Sequence, residues 1–403
     1  MDINENQKAV SADLRLTLEE DLYWDSKRAD LRLRALRSSI IKTLATPING
    51  PLFNKITIGE DKSLLRSKPF STALSKSGLL PSARGNQYDS NSITSALYDI
   101  NNQNHNDEMV RTRKSIVRFL NLCYGCVEEN FPDIFERENN FVISNRGTYA
   151  FICLIGSLNS YETSRGRLDI RSTPTERYKK IEKYLTHLLE RIRKLTRAEE
   201  EQMLPQYGSG AETKWLRFFQ LCVNERFNQY EPTELVDWKE RLDEELQAEG
   251  RKYGIEIERF MKNKILEKLY LLYGEDWDLE IGSIKGDCER LATDQIQKAF
   301  KDGLDRQEIP WTDMFTIYNY RTIIENNWTK FPNPEPADYK NFEAEFSFDS
   351  GDGLNSKKVR LKWIGIFNSY RNLWAHEGTK EKRLNREEVG FLKSVHDHFL
   401  LDL

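Results

Sequence analysis

The segment from Val359 to Trp374 constrains the fold of this chain most. Its apolar residues recur at helical spacing on two sides of one helix: Val359, Trp363, Ile366, Tyr370 and Leu373 on one, and Ile364, Phe367 and Trp374 on the other. A helix that is apolar almost all the way round is normally buried on most sides. The segment therefore predicts a helical bundle in the C-terminal part of the chain.

Three polar residues interrupt the end of this apolar helix. Arg371 takes a position where the helical period asks for an apolar residue, and Asn372 and His376 follow closely. Polar groups in a core are costly unless they find partners, so their presence needs an explanation. Arg carries a permanent positive charge on a fork that suits phosphate, and His moves protons near neutral pH. Together these three residues could cleave a phosphodiester without a metal.

The spacing of these residues limits how such a site can form. Arg371 and His376 are five positions apart, which separates them by about 140° around a continuous helix. Gly378 is a predicted helix stop, which would place His376 in the last turn, where the helix dipole favours its protonated form. Either the helix ends between the two residues, or a second copy of the chain completes the site.

The residues Arg371-Asn372-x-x-x-His376 resemble the catalytic signature of the HEPN family. The pattern Ile323-Ile324-x-x-Asn327-Trp328-x-x-Phe331 resembles the preceding helix of Swt-type HEPN domains. The resemblance covers roughly residues 251–403. It implies a helical bundle, typically dimeric, and a metal-independent ribonuclease of antiviral, toxin or RNA-processing systems. Arg371, Asn372 and His376 are then the expected catalytic residues, and the products would carry a cyclic phosphate and a free 5′-hydroxyl.

The N-terminal half carries a second resemblance. Asn6-Gln7, Asp13-Leu14-Arg15, Pro51-Leu52 and the stretch from Phe70 to Leu80 are similar to DGQHR-type proteins of bacterial DNA-modification and defence loci. The pentapeptide Asp-Gly-Gln-His-Arg that names those proteins is absent here. This resemblance implies a DNA-related or defence-related setting.

Composition favours a helical protein of at least two domains. The chain has 403 residues, of which 31% are charged, and its mean hydropathy is −0.68. No run of 18 apolar residues predicts a membrane span, and the N-terminus lacks the pattern of a secretory signal. The five cysteines fit a reducing compartment. We therefore expect a cytoplasmic protein without a membrane partner. The net charge of −4 does not suggest a protein that coats nucleic acid.

The predicted fold class is mainly α. An N-terminal α-rich (α+β) domain is expected over 1–205, a helical connector over 206–250 and the HEPN-like bundle over 251–403. Helices are predicted at 6–45 as a pair with a basic second member, at 109–131, after Pro174, at 234–273 with a break or bend near Gly250 and Gly254, and at about 286–304, 312–329, 358–377 and 386–401. Residues 53–58 look strand-like, a long loop is expected around 80–108, and Thr148–Leu158 fits a buried helix or strand.

The segment from Tyr161 to Arg197 is locally basic, with eleven Lys or Arg against five acids. This excess favours either a solvated helix of mixed charge or a surface that meets nucleic acid or a partner. The expected contacts with RNA or phosphate are Arg165, Arg167, Arg171, Lys179 and Lys180.

Metal and cofactor sites are not expected. Cys123-x-x-Cys126 lacks the second pair that a structural zinc site needs, so both residues fit a core better than a metal. His396 and His398 flank Asp397, and this set is small for a metal site. The chain shows no Gly-rich phosphate loop of P-loop or dinucleotide spacing.

Three functions remain open from the sequence. The first is a dimeric ribonuclease acting on RNA, with tRNA as a natural substrate to test. The second is a non-catalytic HEPN-like module that dimerises or docks a protein of a defence system, because many HEPN domains have lost catalysis. The third is a DNA-binding regulator that uses the surface at 161–197.

Overall fold

The computed structural model describes residues 12–48, 50–58, 63–137, 140–204, 210–301, 308–375 and 383–401. The protein is mainly α, as predicted from its periodicity. It divides into two compact units, residues 1–235 and 236–403. The division falls inside the segment 206–250, which the sequence suggested as a connector.

The first unit is built from helices and one small hairpin. Its elements are α1 (Ala12–Tyr23), α2 (Ala29–Ala45), α3 (Ser67–Lys76), β1 (Ala83–Arg84), β2 (Gln87–Tyr88), α4 (Ser90–Ile93), α5 (His105–Asn130), α6 (Pro132–Phe135), α7 (Asn145–Ser164), α8 (Pro174–Arg193), α9 (Arg197–Met203) and α10 (Ala211–Arg226). The strands β1 and β2 pair antiparallel. α11 (Thr233–Leu242) crosses the division between the units.

α7 lies at the centre of the first unit, so the stretch Thr148–Leu158 is a helix. The side chain of Ser144 caps its start by accepting from the backbone N–H of Gly147. Its neighbours are α3, α8 and α10, and most of its side chains are buried. Gly156 allows the closest approach, because a Cβ there would overlap the carbonyl oxygen of Ser77. Burial on all sides explains why the segment is apolar without a polar face.

The basic helix α2 turns cations towards α1 rather than to solvent. Arg34 pairs with Glu19, and Lys42 Nζ lies 3.1 Å from Glu20 Oε2. Both cations of the predicted basic helix are therefore paired with acids of its neighbour. The reason is that α1 presents the complementary acids, which a single-helix pattern does not reveal.

Two local expectations for the first unit are corrected. Residues 53–58 form turns with one isolated bridge between Ile56 and Leu65, not a strand. The segment 80–108 is not one long loop, since it holds the β1–β2 hairpin, α4 and the start of α5. In contrast, α8 begins at Pro174 as predicted, with a capping box between Thr173 and Glu176.

The regular elements in the described part of the second unit are all helical, and loops join them. Its elements are α12 (Glu244–Tyr273), a 3₁₀ segment (Gly274–Ile281), α13 (Ser283–Lys301), a 3₁₀ turn (Trp311–Met314), α14 (Ile317–Asn326), α15 (Phe342–Phe346), α16 (Lys357–Arg360), α17 (Lys362–Ala375) and α18 (Arg386–Leu400). α12 packs against α14, α17 and α18. Trp363 and Phe367 of α17 are fully buried in this core. The predicted capping box of α18, Asn385 with Glu388, is confirmed.

The predicted break near Gly250 and Gly254 is wrong. The chain breaks earlier, at Asp243, whose side chain caps the start of α12, and α12 runs through both glycines. A Cβ at Gly250 would overlap Leu384, and one at Gly254 would overlap the ring of Trp374. Both glycines therefore serve close packing against neighbouring segments rather than a break in the helix.

Across the residues that the structure describes, no helix combines the length and apolarity needed to cross a bilayer.

Candidate functional site

The C-terminal end of α17 docks on α12 through an aromatic ring. Trp374 lies over Gly254, and Arg371, three positions earlier on α17, pairs with Glu258, four positions later on α12. From one contact to the next, the residue number falls on α17 and rises on α12. The two helices therefore run antiparallel. The steps of three and four residues are those at which helix faces repeat, so both contacts lie along one seam.

The seam holds an ion pair with both ends of the carboxylate engaged. Arg371 Nε donates to Glu258 Oε2 and Nη2 donates to Oε1, each at 3.3 Å. The side chains are 35% and 27% exposed, respectively. Such a side-on pair occupies one edge of the guanidinium and leaves Nη1 on the other edge. Glu258 therefore fixes the plane of Arg371 without using all of its donors.

Tyr320 of α14 brings a third helix to this site. Burial raises the pKa of the Tyr320 hydroxyl above its ordinary value, and the negative charge of Glu258 raises it further, while Arg371 opposes the rise. The phenol is therefore neutral at physiological pH. Glu258 and Tyr320 were not singled out from the sequence, because nothing local distinguishes a functional glutamate or tyrosine on a mixed-charge helix.

The predicted catalytic residues are only partly within the described chain. Arg371 and Asn372 lie in the last turns of α17, and both are half-buried. His376 follows the last residue of α17, Ala375, and lies outside the described residues. The expectation that Arg371 stands in a core is corrected. The buried part of α17 ends near Phe367, and the final turn is half-exposed, so the cation can be reached from solvent.

Three of the predicted phosphate contacts lie where α7 gives way to α8. Arg165 donates to the side chain of Gln229 at 2.9 Å and lies over the ring of Tyr161. Arg167 pairs with the buried carboxylate of Glu162, 3.2 Å away. All three arginines, Arg171 included, are exposed. Arg167 is already neutralised by its partner, so this loop is less positive than its sequence suggests.

Lys179 and Lys180 occupy the exposed face of α8, one turn into the helix. Neither makes an ion pair within the described part of the chain. These lysines and the three arginines belong to the first unit, whereas Arg371 and Asn372 belong to the second.

Groups that could hold a metal are absent from the described residues. Cys123 and Cys126 are buried thiols of α5. His396 is held by carboxylates, with Nε2 lying 2.7 Å from Glu256 Oε2, and His398 Nε2 lies 3.2 Å from the carbonyl oxygen of Ser347. The two imidazoles thus face different partners.

Comparison with known proteins returns no match of this chain to a family model, a curated protein or a solved structure.

Proposed function

We propose that the second unit is a metal-independent RNA endonuclease of HEPN type, acting in bacterial antiviral defence or as a toxin-like protein. The observation that carries the proposal is the half-exposed Arg371, whose guanidinium is fixed by Glu258 at the reachable end of an apolar helix. A fixed and accessible guanidinium suits a phosphate group. The sequence places His376 five residues further on.

The chemistry assigned to these residues is an internal transfer at phosphorus. The 2′-oxygen attacks the neighbouring phosphorus, the bond from phosphorus to the 5′-oxygen breaks, and a 2′,3′-cyclic phosphate and a 5′-hydroxyl result. One proton leaves the 2′-hydroxyl and one reaches the departing 5′-oxygen, and His376 serves this transfer. Arg371 stabilises the charge that grows on the phosphate oxygens, and Asn372 orients either Arg371 or His376.

The test uses the full chain with total tRNA in the presence of EDTA. Wild type should cleave and leave 5′-hydroxyl ends, which polynucleotide kinase can label directly. His376→Ala should lower the rate by at least about 100-fold, and Arg371→Lys by about 10- to 100-fold, because an ammonium lacks the planar fork. Lys393→Ala, an exposed change on α18, is the matched control and should cleave like wild type. Full activity of His376→Ala, or loss of activity in EDTA, rejects the proposal.

A second function is favoured by a different observation on the same unit. Leu279 and Phe300 are 68% and 66% exposed, and the charge of Arg371 is already met by Glu258. A non-catalytic module that forms a homodimer, or docks a protein partner of a defence system, would use such apolar side chains. Light scattering on wild type and Leu279→Asp separates the two functions. A dimer that the substitution dissociates, together with no cleavage of any RNA, favours the interaction module.

A further inference from the structure

The first unit contains a buried arginine whose charge is not balanced. Arg32 of α2 is only 7% exposed. Its Nη1 donates to the backbone carbonyl of Ser26 at 2.8 Å, but its Nε has no hydrogen-bond partner among the described residues. No described carboxylate forms an ion pair with it. An arginine does not lose its proton in proteins, so this positive charge stays in a poorly hydrated place.

A second buried arginine in the same unit shows what a satisfied one looks like. Arg177 is 2% exposed and directs all three of its nitrogens at acceptors: Nε to the carbonyl of Ser172, Nη1 to Asn159 Oδ1 and Nη2 to the carbonyl of Asp169. Arg177 therefore has a structural role. Arg32 makes only one such contact, from Nη1 to a backbone carbonyl. The comparison shows that Arg32 lacks acceptors that a buried arginine normally has.

Arg32 lines an open cavity of about 570 Å³ whose lining also comes from strand β2 and the start of α5. Two other buried polar atoms of this cavity also have no hydrogen-bond partner among the described residues, Tyr88 Oη and His105 Nδ1. Three residues from three elements, each with an unpartnered buried polar atom, therefore line one space. A volume of this size is within the usual range for a small-molecule site.

The one carboxylate among the neighbouring groups does not offset both cations of the cavity lining. Tyr98 lies beside Arg32 and Tyr88, but burial raises the pKa of its hydroxyl, so it stays neutral, and it has no hydrogen-bond partner of proper geometry in the described chain. Asp25 is the one carboxylate of the cavity lining, and its Oδ1 accepts from Asn106 Nδ2 at 2.9 Å. Lys27 adds a second cation to the lining.

A neutral molecule such as water cannot balance the charge of Arg32. The start of α5, at His105 and Asn106, adds the positive end of a 26-residue helix to the same cavity. Donors that approach from an arginine, a tyrosine, an imidazole and a helix start suit a tetrahedral group with several terminal oxygens better than a flat carboxylate with two.

We infer that this cavity binds the phosphate group of a small molecule, with Arg32 as its central contact and Tyr88, His105 and Lys27 around it. The site is independent of RNA cleavage by the second unit. Both candidate ligands, inorganic phosphate and a phosphomonoester, present the same phosphate group to the cavity.

The test measures thermal unfolding and calorimetric binding of the full chain at constant ionic strength. The probes are inorganic phosphate, a nucleoside 5′-monophosphate, acetate and chloride. Phosphate should raise the unfolding midpoint in a concentration-dependent way, whereas acetate and chloride should not. A monophosphate that binds more tightly than inorganic phosphate assigns the site to a phosphomonoester, and equal binding assigns it to the free anion.

Variants locate the binding. Arg32→Met should weaken phosphate binding on the order of 100-fold, since a charge-assisted contact is lost. Tyr88→Phe keeps the ring and should weaken it about 5- to 10-fold, which keeps the test open if Arg32→Met does not fold. Arg28→Met is the matched control, because Arg28 is exposed and paired with Asp30, and it should bind like wild type. An unfolding midpoint that phosphate does not change in wild type, or an unchanged affinity in Tyr88→Phe and Arg32→Met, overturns the inference.

Discussion

Arg371 of α17 and Glu258 of α12 meet side-on, with two nitrogen–oxygen distances of 3.3 Å across 113 positions of sequence. The pair follows from the docking of Trp374 over Gly254, which sets the register of the two helices. It gives the guanidinium one orientation at the half-exposed end of α17. Such a pair can position Arg371 for a phosphate, or it can only hold the two helices together. The change in turnover when the pair is removed distinguishes these two roles.

Glu258→Gln tests whether the pair positions Arg371 for cleavage. The amide can accept from only one guanidinium nitrogen, so we expect kcat for RNA to fall by about 10- to 100-fold with little change in KM. Stability should change by less than about 1 kcal/mol, because the pair is partly exposed. Glu267→Gln removes the comparable pair with Lys264 on the same helix and should leave cleavage unchanged. A Glu258→Gln enzyme with wild-type kcat and KM would show that the pair has no positioning role.

Gly254→Ala tests the docking of α17 on α12. The added methyl would overlap the Trp374 ring, so the helices must separate, and we expect a loss of about 1–3 kcal/mol in the free energy of unfolding. Gly390→Ala on α18 is the control, because a Cβ there meets nothing within 4 Å. It should stabilise the unit by about 0.5–1 kcal/mol through helix propensity. Chemical denaturation followed by Trp fluorescence measures both. Equal stability of the two variants would contradict the close contact between Trp374 and Gly254.

Acid should destabilise the first unit through Glu108, which is 1% exposed at the start of α5. Burial alone would raise the pKa of Glu108, but hydrogen bonds from Arg111, the backbone N–H of Asp99 and the hydroxyl of Thr112 together lower it below its ordinary value of 4.5. A folded-state pKa below the unfolded one means that the stabilisation is present above about pH 4.5 and is lost as the pH falls through the folded value.

Unfolding midpoints between pH 7 and pH 3 measure this effect. Glu108→Gln should lose about 2 kcal/mol at pH 7, since Arg111 and the N–H of Asp99 lose a charged acceptor, and its midpoint should depend less on pH than that of wild type. Glu190→Gln, at an exposed position of α8, should follow the wild-type curve. A Glu108→Gln curve parallel to wild type throughout would show that Glu108 does not carry the acid sensitivity.

The cysteines should be unreactive in the folded protein. All five are buried, and burial raises the pKa of Cys153 and of Cys222 to about 12. Because the thiolate is the reactive form, a thiol reagent at pH 8 should label the native protein slowly. It should label all five thiols of the unfolded protein. Ser164→Cys places a thiol at an exposed position and should react within minutes. Rapid labelling of native Cys123 or Cys126 would contradict their placement in the core.

Several features were determined by the sequence alone because their causes are local. Helical spacing of apolar residues predicts the mainly α fold, and Thr173 with Glu176 and Asn385 with Glu388 mark two helix starts through contacts three residues apart. The apolar run of α17 likewise predicts its burial up to Phe367. Each of these signals depends on a few neighbouring residues, so no knowledge of the rest of the chain is needed.

Other features depended on residues that are distant in sequence. Only the tertiary structure pairs Arg371 with Glu258, turns Arg34 of the basic helix towards Glu19, and leaves Arg32 without a balancing charge beside Tyr88 and His105. A charged residue has the same local pattern whether its partner is solvent, an acid or a ligand. These three cases differ in the free energy of burying and pairing the charge. That difference arises only when helix packing removes water from one side of the charged residue.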